Sequence, residues 1–405
     1  MKILFLANRL PHPTVAGGHR VIYQRMRLLA DRGHAVGLAA FVAPENTQHI
    51  QALSAEFHEV ETVPLKKQHL AIRMTRDYIS GTLPAIFWKN YSHRMMRLVG
   101  DMVENGQYDV VIAAYGEMGM YLYRNPFLSA VHKVVSCHRC LTTSFAKYAE
   151  TPGVPLSLRA KSATQLQVLE KYEFEMYSAM DHILTLTEED RFTLLNHAPQ
   201  LPVSVIPPGI DFNYFNREHK ETPSQPMIMM CGFFSDKSNR DAALWFIEEI
   251  WPKVTRKHPQ LKCVFVGKGA RSEMERAAAP YAEMMHVFSS VEDLRPYRER
   301  ASIFINPMRL GSGLRVKMLE AMATGLPVVT TALGAAGIPA QNGENCFVAD
   351  TPELFAQSID WLLTDQNLAQ QVGNRAREMV KNRFNSRSII SELEQVLEEV
   401  ISIQR

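Results

Sequence analysis

The sequence predicts an α/β protein made of two Rossmann-like, doubly wound domains facing each other across a cleft. Three observations point there. Short, continuously apolar runs recur between helical stretches, as in strands buried on both faces of a parallel sheet. That rhythm occurs twice, with a Pro-rich polar segment at 207–226 between the two occurrences. The length, 405 residues, suits two domains at about 100–200 residues each.

The elements follow in order. Residues 2–7 (Lys-Ile-Leu-Phe-Leu-Ala) read as a buried strand, and a loop with Pro11, Pro13, Gly17 and Gly18 follows. Val21, Ile22, Met26, Leu29 and Ala30 then fall at helical spacing up to Gly33, and 35–42 reads as the next strand. This is a βαβ unit. Residues 110–114 and 133–136 are further strands. After the Pro-rich segment, 227–231 reads as a strand. A polar loop to Arg240 leads into a helix carrying Ala243, Leu244, Phe246 and Ile247. Residues 262–266 and 302–306 are strands. Gly311-Ser312-Gly313 opens a helix that ends at Gly325, and 328–331 is another strand. A last helix, 389–403, aligns Ile390, Leu393, Val396, Leu397, Val400 and Ile401 on one face, so it docks on something. The expected domains are 1–206, with the C-terminal helix of 388–405 packing back on it, and 207–387.

Composition narrows the function. Hydrophobic residues are 46% and charged residues 21%, which excludes a mainly disordered chain. Lys+Arg number 44 against 42 Asp+Glu, so no general nucleic-acid footprint exists. Five Cys do not make a disulfide framework and fit a reduced, cytoplasmic setting. Cys137-His-Arg-Cys140 has no second CxxC to complete a zinc site, so it reads as structural. The apolar start is too short for a signal peptide. The uncharged stretch 321–343 contains four Gly and two Pro, so it does not read as a membrane span.

Ligands of open α/β sheets lie outside the carboxyl ends of the strands. Three Gly-bearing loops sit there: Gly17-Gly18, Gly311-Ser-Gly313 and Gly334-Ala-Ala-Gly337. Each is either a tight turn or a place where free N–H groups at a helix start meet an anion. No GxGxxG with a downstream acid follows the first strand, which argues against NAD; no GxxxxGK[ST] occurs, which argues against a P-loop enzyme. No Asp-x-Asp pair occurs, so no metal is expected on one.

The stretch 306–330, Asn-Pro-Met-Arg-Leu-Gly-Ser-Gly-Leu-Arg-Val-Lys-Met-Leu-Glu-Ala-Met-Ala-Thr-Gly-Leu-Pro-Val-Val-Thr, resembles the donor-site signature of family 4 (group 1) glycosyltransferases of GT-B fold. Residues 232–245, with Asn239, Ala242 and Trp245, are similar to the opening of that family's second domain. Val205-Ile-Pro-Pro-Gly-Ile-Asp211, Thr187-Glu-Glu-Asp190 and the Gly17-Gly18 loop fit as well. The resemblance implies retaining, metal-independent transfer of a sugar from a nucleotide-diphosphate donor, with a UDP-sugar expected before a GDP-sugar. It needs no cofactor beyond that co-substrate.

It further implies that Glu320 holds the ribose hydroxyls, a task suited to a carboxylate, which accepts two hydrogen bonds from a diol. Gly311, Gly313, Leu314, Arg315, Val316 and Lys317 would face the diphosphate, with Arg309 ranked below Arg315 and Lys317. Lys237 and Arg240 are candidates for the cations the family supplies after its first donor-domain strand, where Phe233 replaces the usual Arg. Ser312 stands at the catalytic position of the family's first motif glutamate, a departure from its E-x7-E pattern. His138 resembles the family's strand-end histidine beside the transferred sugar. Gly17, Gly18 and Glu117 belong to the acceptor side.

Residues 65–100 carry Lys66, Lys67, Arg73, Arg76, Lys89, Arg94 and Arg97 against one acid, Asp77, with Tyr78, Phe87, Trp88 and Tyr91 interleaved. They suit peripheral contact with an anionic membrane surface or a lipid-diphosphate acceptor, or else a solvated helix face with its aromatics in the core. The implied acceptor is a glycan or lipid-linked hydroxyl in surface polysaccharide or glycoconjugate biosynthesis. The rival readings are a sugar-nucleotide epimerase or phosphorylase of the same fold, and a non-catalytic partner protein on the same scaffold.

Overall fold

The computed structural model describes residues 1–12, 18–65, 83–88, 91–150, 156–215, 225–267, 269, 271–288, 291, 293–311 and 313–403. The chain divides into two compact units, Met1–Pro207 with Ile389–Arg405, and Pro208–Ser388.

The first unit is built on seven strands: β1 (Lys2–Ala7), β2 (Ala35–Val42), β3 (Glu59–Pro64), β4 (Val110–Ala114), β5 (His132–Cys137), β6 (His182–Thr185) and β7 (Val203–Val205). They form one sheet in the order β3-β2-β1-β4-β5-β6-β7, every pair parallel. Both faces are covered, which is why β1 reads as an unbroken apolar run. Ile3 and Phe5 pack with Ile22, Met26 and Leu29 of the Gly18–Asp31 helix and with Ile390, Leu393 and Leu397 of the Ser386–Ser402 helix. Leu4 and Leu6 point the other way, into a cluster with Met95, Val99, Leu169 and Met176. Strand order reverses between β1 and β4, and the crevice at such a reversal is where this architecture binds ligands.

The second unit repeats the plan with β8 (Met227–Cys231), β9 (Lys262–Val266), β10 (Met285–Phe288), β11 (Ile303–Asn306), β12 (Val328–Thr330) and β13 (Phe347–Val348). The order β10-β9-β8-β11-β12-β13 is again all parallel and reverses between β8 and β11. Met230, Phe265 and Ile305 face one core; Met229, Val264 and Phe304 face the other.

Two local readings change. The helix after β8 begins at Lys237 rather than beyond Arg240, because the Asp236 side chain accepts from the backbone N–H groups of Ser238 and Asn239 and caps it there. Gly334-Ala-Ala-Gly337 is not an open loop. Its first half lies in the short Ala332–Ala335 helix, and a Cβ on Gly334 would meet Thr330 Oγ1 at 2.3 Å. That glycine serves close packing. Gly325, at φ +74, closes the Val316–Ala323 helix as expected. Among the described residues, no helix is long and apolar enough to cross a membrane.

Candidate active site

The carboxyl ends of β8 and β11 carry the features of the 306–330 motif. Gly311 and Gly313 adopt φ of +96 and +82, which L side chains rarely take. A Cβ on Gly311 would also meet Arg315 Nη2 and Ser238 Oγ at 3.0 Å. The loop leads through Leu314, half-buried, to Arg315 at the N-cap of the Val316–Ala323 helix, where no side chain caps the first turn. The first N–H groups of this helix are therefore available to an anion. Ser312 lies outside the described residues.

The cations around this turn differ in what holds them. Lys317 Nζ donates to Asn239 Oδ1 at 2.7 Å, and Asn239 Nδ2 donates to the Phe233 carbonyl at 3.0 Å. Burial pulls the Lys317 ammonium down to about 8. Arg315 Nη2 donates to the Leu310 carbonyl at 3.2 Å, bracing the glycine loop from within. Arg309 makes a two-point contact with Asp241, at 3.1 and 2.8 Å, and lies over the Trp245 ring. Arg240 pairs with Glu273 at 3.3 Å, so an acid already meets this expected donor cation. Lys237 is exposed in the first turn of the helix that Asp236 caps.

Glu320 sits one turn further along the Val316–Ala323 helix and is buried. Its Oε2 accepts from Nη2 of Arg298, in the Arg295–Arg300 helix. Arg298 is fully buried, with its guanidinium over the Phe215 ring at 5.1 Å.

A second cluster gathers in the first unit, at the carboxyl ends of β1, β4 and β5. Asn8 Nδ2 donates to Glu117 Oε1 at 2.8 Å. A carboxylate only accepts, so the Asn8 amide oxygen faces His19, whose Nε2 lies 2.8 Å away and carries the proton. Burial holds His19 down at about 4, so the ring is neutral near pH 7 and this tautomer is fixed. His138 is held at about 3, chiefly by burial. Its ring stacks near Tyr115, centroids 4.1 Å apart, and its Nε2 is buried with no partner among the described residues. Tyr115 itself has φ +83, an uncommon conformation for a tyrosine, supported by its N–H donating to the Ser136 carbonyl. Gly18 opens the adjacent helix, and a Cβ there would lie 2.2 Å from Tyr115 Oη. Gly17 lies outside the described residues.

Behind His138, the Cys137–Cys140 turn is held by Glu173. Its buried carboxylate accepts from the N–H groups of Leu141 and Thr142, the Thr142 hydroxyl and the Tyr177 hydroxyl, at 2.6 to 2.9 Å. Both thiols are buried and burial pushes them up, so the CxxC is structural packing rather than a reactive pair.

The family model described as glycosyl transferases group 1 matches residues 225–365. This segment is a group 1 glycosyltransferase domain. The whole chain is 23% identical over 404 residues to an uncharacterized 44.6 kDa protein in the cps region of Klebsiella pneumoniae, covering 97% of this chain and 98% of that protein. It is 30% identical over 106 residues to the capsular polysaccharide biosynthesis glycosyltransferase CapM of Staphylococcus aureus, covering 26% of this chain and 28% of that one. Among solved structures it shares its fold with Anabaena HepE, crystallised with UDP and glucose, at TM-score 0.72 and 12% identity over 98% of this chain and 100% of that one.

The matched segment holds Gly311, Gly313, Leu314, Arg315, Val316, Lys317 and Glu320 on one loop and helix, and Lys237 and Arg240 on another helix. Gly18, Glu117 and His138 gather instead in the first unit, outside the matched segment. Sequence reasoning missed Arg298, Asn8, His19 and Arg25. Arg25 is buried, donates to Ser136 Oγ and the Ile206 carbonyl, and pairs with no acid among the described residues. Its place on the apolar face of a helix, between Ile22 and Met26, was the available signal.

In the basic stretch, the described aromatics turn inward. Phe87 is buried with its ring 4.7 Å from Tyr172, and Tyr91 packs on the same core, while Arg94 and Arg97 are exposed. Residues 66–82, 89 and 90, with Lys66, Lys67, Arg73, Arg76, Tyr78 and Lys89, lie outside the described residues.

Proposed function

We propose that the glycosyltransferase moves a sugar from a nucleoside-diphosphate donor, a UDP-sugar before a GDP-sugar, to a hydroxyl of a glycan or lipid-linked acceptor. Surface polysaccharide assembly is the setting, with retention at the anomeric carbon. The observation that carries the donor half is the uncapped start of the Val316–Ala323 helix, with the half-buried Lys317 ammonium beside it and the Glu320 carboxylate on the same helix. Diphosphate meets the N–H groups and Lys317; the ribose diol meets Glu320. The setting is supported by the capsular relatives, and UDP by the ligand of the Anabaena structure.

Chemically, the bond from the anomeric carbon to the diphosphate breaks while the acceptor oxygen attacks the same face. The acceptor proton passes to the leaving phosphate oxygen, so no side-chain base is required. The chain's contribution is fixed positive charge where negative charge grows. His138 lines the acceptor side as a neutral ring. No resident metal or other cofactor takes part, so activity persists in EDTA; loss that Mg²⁺ restores would overturn this part.

A thermal-shift series with UDP, GDP, dTDP, ADP and CMP tests the donor site. One nucleotide at about 100 times its Kd adds roughly 2.7 kcal/mol to stability, a readable shift. The expected result is a shift with UDP that Glu320→Ala removes. A wild type that responds to none of them overturns the proposal.

A further inference from the structure

The Arg298–Glu320 pair is an expensive thing to bury. Arg298 is 1% exposed and the Glu320 side chain 10%. Taking two charges out of water costs several kcal/mol per ion, and a well-packed apolar pair often serves stability as well or better. Arg298 is also imperfectly satisfied, since its Nε is buried without a partner among the described residues. Stability alone is a poor reason for this arrangement.

The surroundings suggest another. The guanidinium is held on two sides, by the Glu320 carboxylate and by the Phe215 ring at 5.1 Å, with the Cys231 thiol at the end of β8 close by. Among the described residues, Lys317 on the helix of Glu320 and Asp293 just before the helix of Arg298 also lie in this neighbourhood. A planar, rigidly held guanidinium fixes the rotamer of the carboxylate it touches. That is what two-point recognition of a diol needs, because a swivelled carboxyl would offer only one good acceptor.

We infer that Arg298 is a positioning residue that holds Glu320 for contact with the 2′,3′-diol of the donor ribose, so the pair together distinguishes ribonucleotides from deoxynucleotides. This rests on the proposal that Glu320 meets the ribose. It assigns to Arg298 no contact with the substrate.

The test compares affinities for UDP and 2′,3′-dideoxyUDP, and for GDP and its dideoxy form, by calorimetry. A merely structural arginine would change both members of a pair equally. Wild type is expected to prefer the ribonucleotide by tenfold or more. Arg298→Met is expected to lower the preference to within about threefold of unity, chiefly by weakening the diol form, and to raise KM for the donor more than it lowers kcat. Arg298→Lys is expected to restore part of the preference. The milder Phe215→Leu, which removes the ring under the guanidinium, is expected to reduce it partly, and covers the case in which Arg298→Met does not fold. An undiminished preference in the folded arginine variants, or in Phe215→Leu should Arg298→Met not fold, overturns the inference and leaves the proposed function standing. A wild type that binds nucleotide without any preference for the diol overturns the inference together with the ribose role of Glu320 on which it rests.

Discussion

Lys317 is where pH enters the chemistry. Burial depresses its ammonium to about 8, so in the empty site the charge fades as pH rises through 8. A bound diphosphate favours the charged form and draws a proton in. UDP affinity is therefore expected to fall above pH 8, and binding at pH 8 to take up protons, visible as a buffer-dependent calorimetric enthalpy. Lys317→Met should bind at least tenfold more weakly with little pH dependence between 7 and 9. A wild-type affinity that is flat across that range would show that Lys317 does not face the phosphates. Residues like this were legible in the sequence because Gly311, Lys317 and Glu320 lie within one continuous motif. Arg298 was not, since 22 residues separate it from Glu320 and nothing local distinguishes it from a solvated helix arginine. Asn8 and Glu117 are 109 residues apart, and only the meeting of β1 with β4 joins them.

The elements show the same division. Strands buried on both faces, such as β1 and β8, announce themselves as apolar runs. β3 does not, because Glu59 and Glu61 interrupt it; it is an edge strand, and edge strands commonly carry charge. β7 and β13, with three and two residues, are too short to leave a pattern. The start of the helix at Lys237 was readable only through Asp236 as a cap. At this scale the junction of the Gly18–Asp31 helix with Tyr115 invites a direct test. Gly18→Ala pushes a Cβ to 2.2 Å from Tyr115 Oη. Destabilisation of about 1–3 kcal/mol is expected from overpacking, measured by urea unfolding. Adding Tyr115→Phe should recover part of it, and a double variant no more stable than Gly18→Ala would place the strain elsewhere.

For the molecule as a whole, the histidines that burial depresses, His19, His138 and His182, set an acid limit. His19 and His138 stay neutral when folded, down to about 4 and 3, whereas in the unfolded chain they take up protons near 6.5. Below pH 6.5 the unfolded state binds more protons, so stability falls as pH falls. The melting temperature is expected to drop between pH 6.5 and 5, above the range of ordinary carboxylates, and His19→Asn with His138→Asn to flatten that slope. An unchanged slope in the double variant would contradict the assignment. The closing helix is the other global determinant. Leu393 and Leu397 are buried among Ile3, Phe5 and Leu38, and Leu397→Ala should cost about 2–5 kcal/mol by denaturant unfolding. The same arrangement bears on how the protein is made. The 181 residues of 208–388 separate the two pieces of the first unit. A ribosome adding about 5–20 residues per second spends on the order of ten to forty seconds on that stretch. All that while the apolar surface awaiting Leu393 and Leu397 stays open, available to chaperones, and a chain that stalls before residue 389 keeps it open for proteases to find.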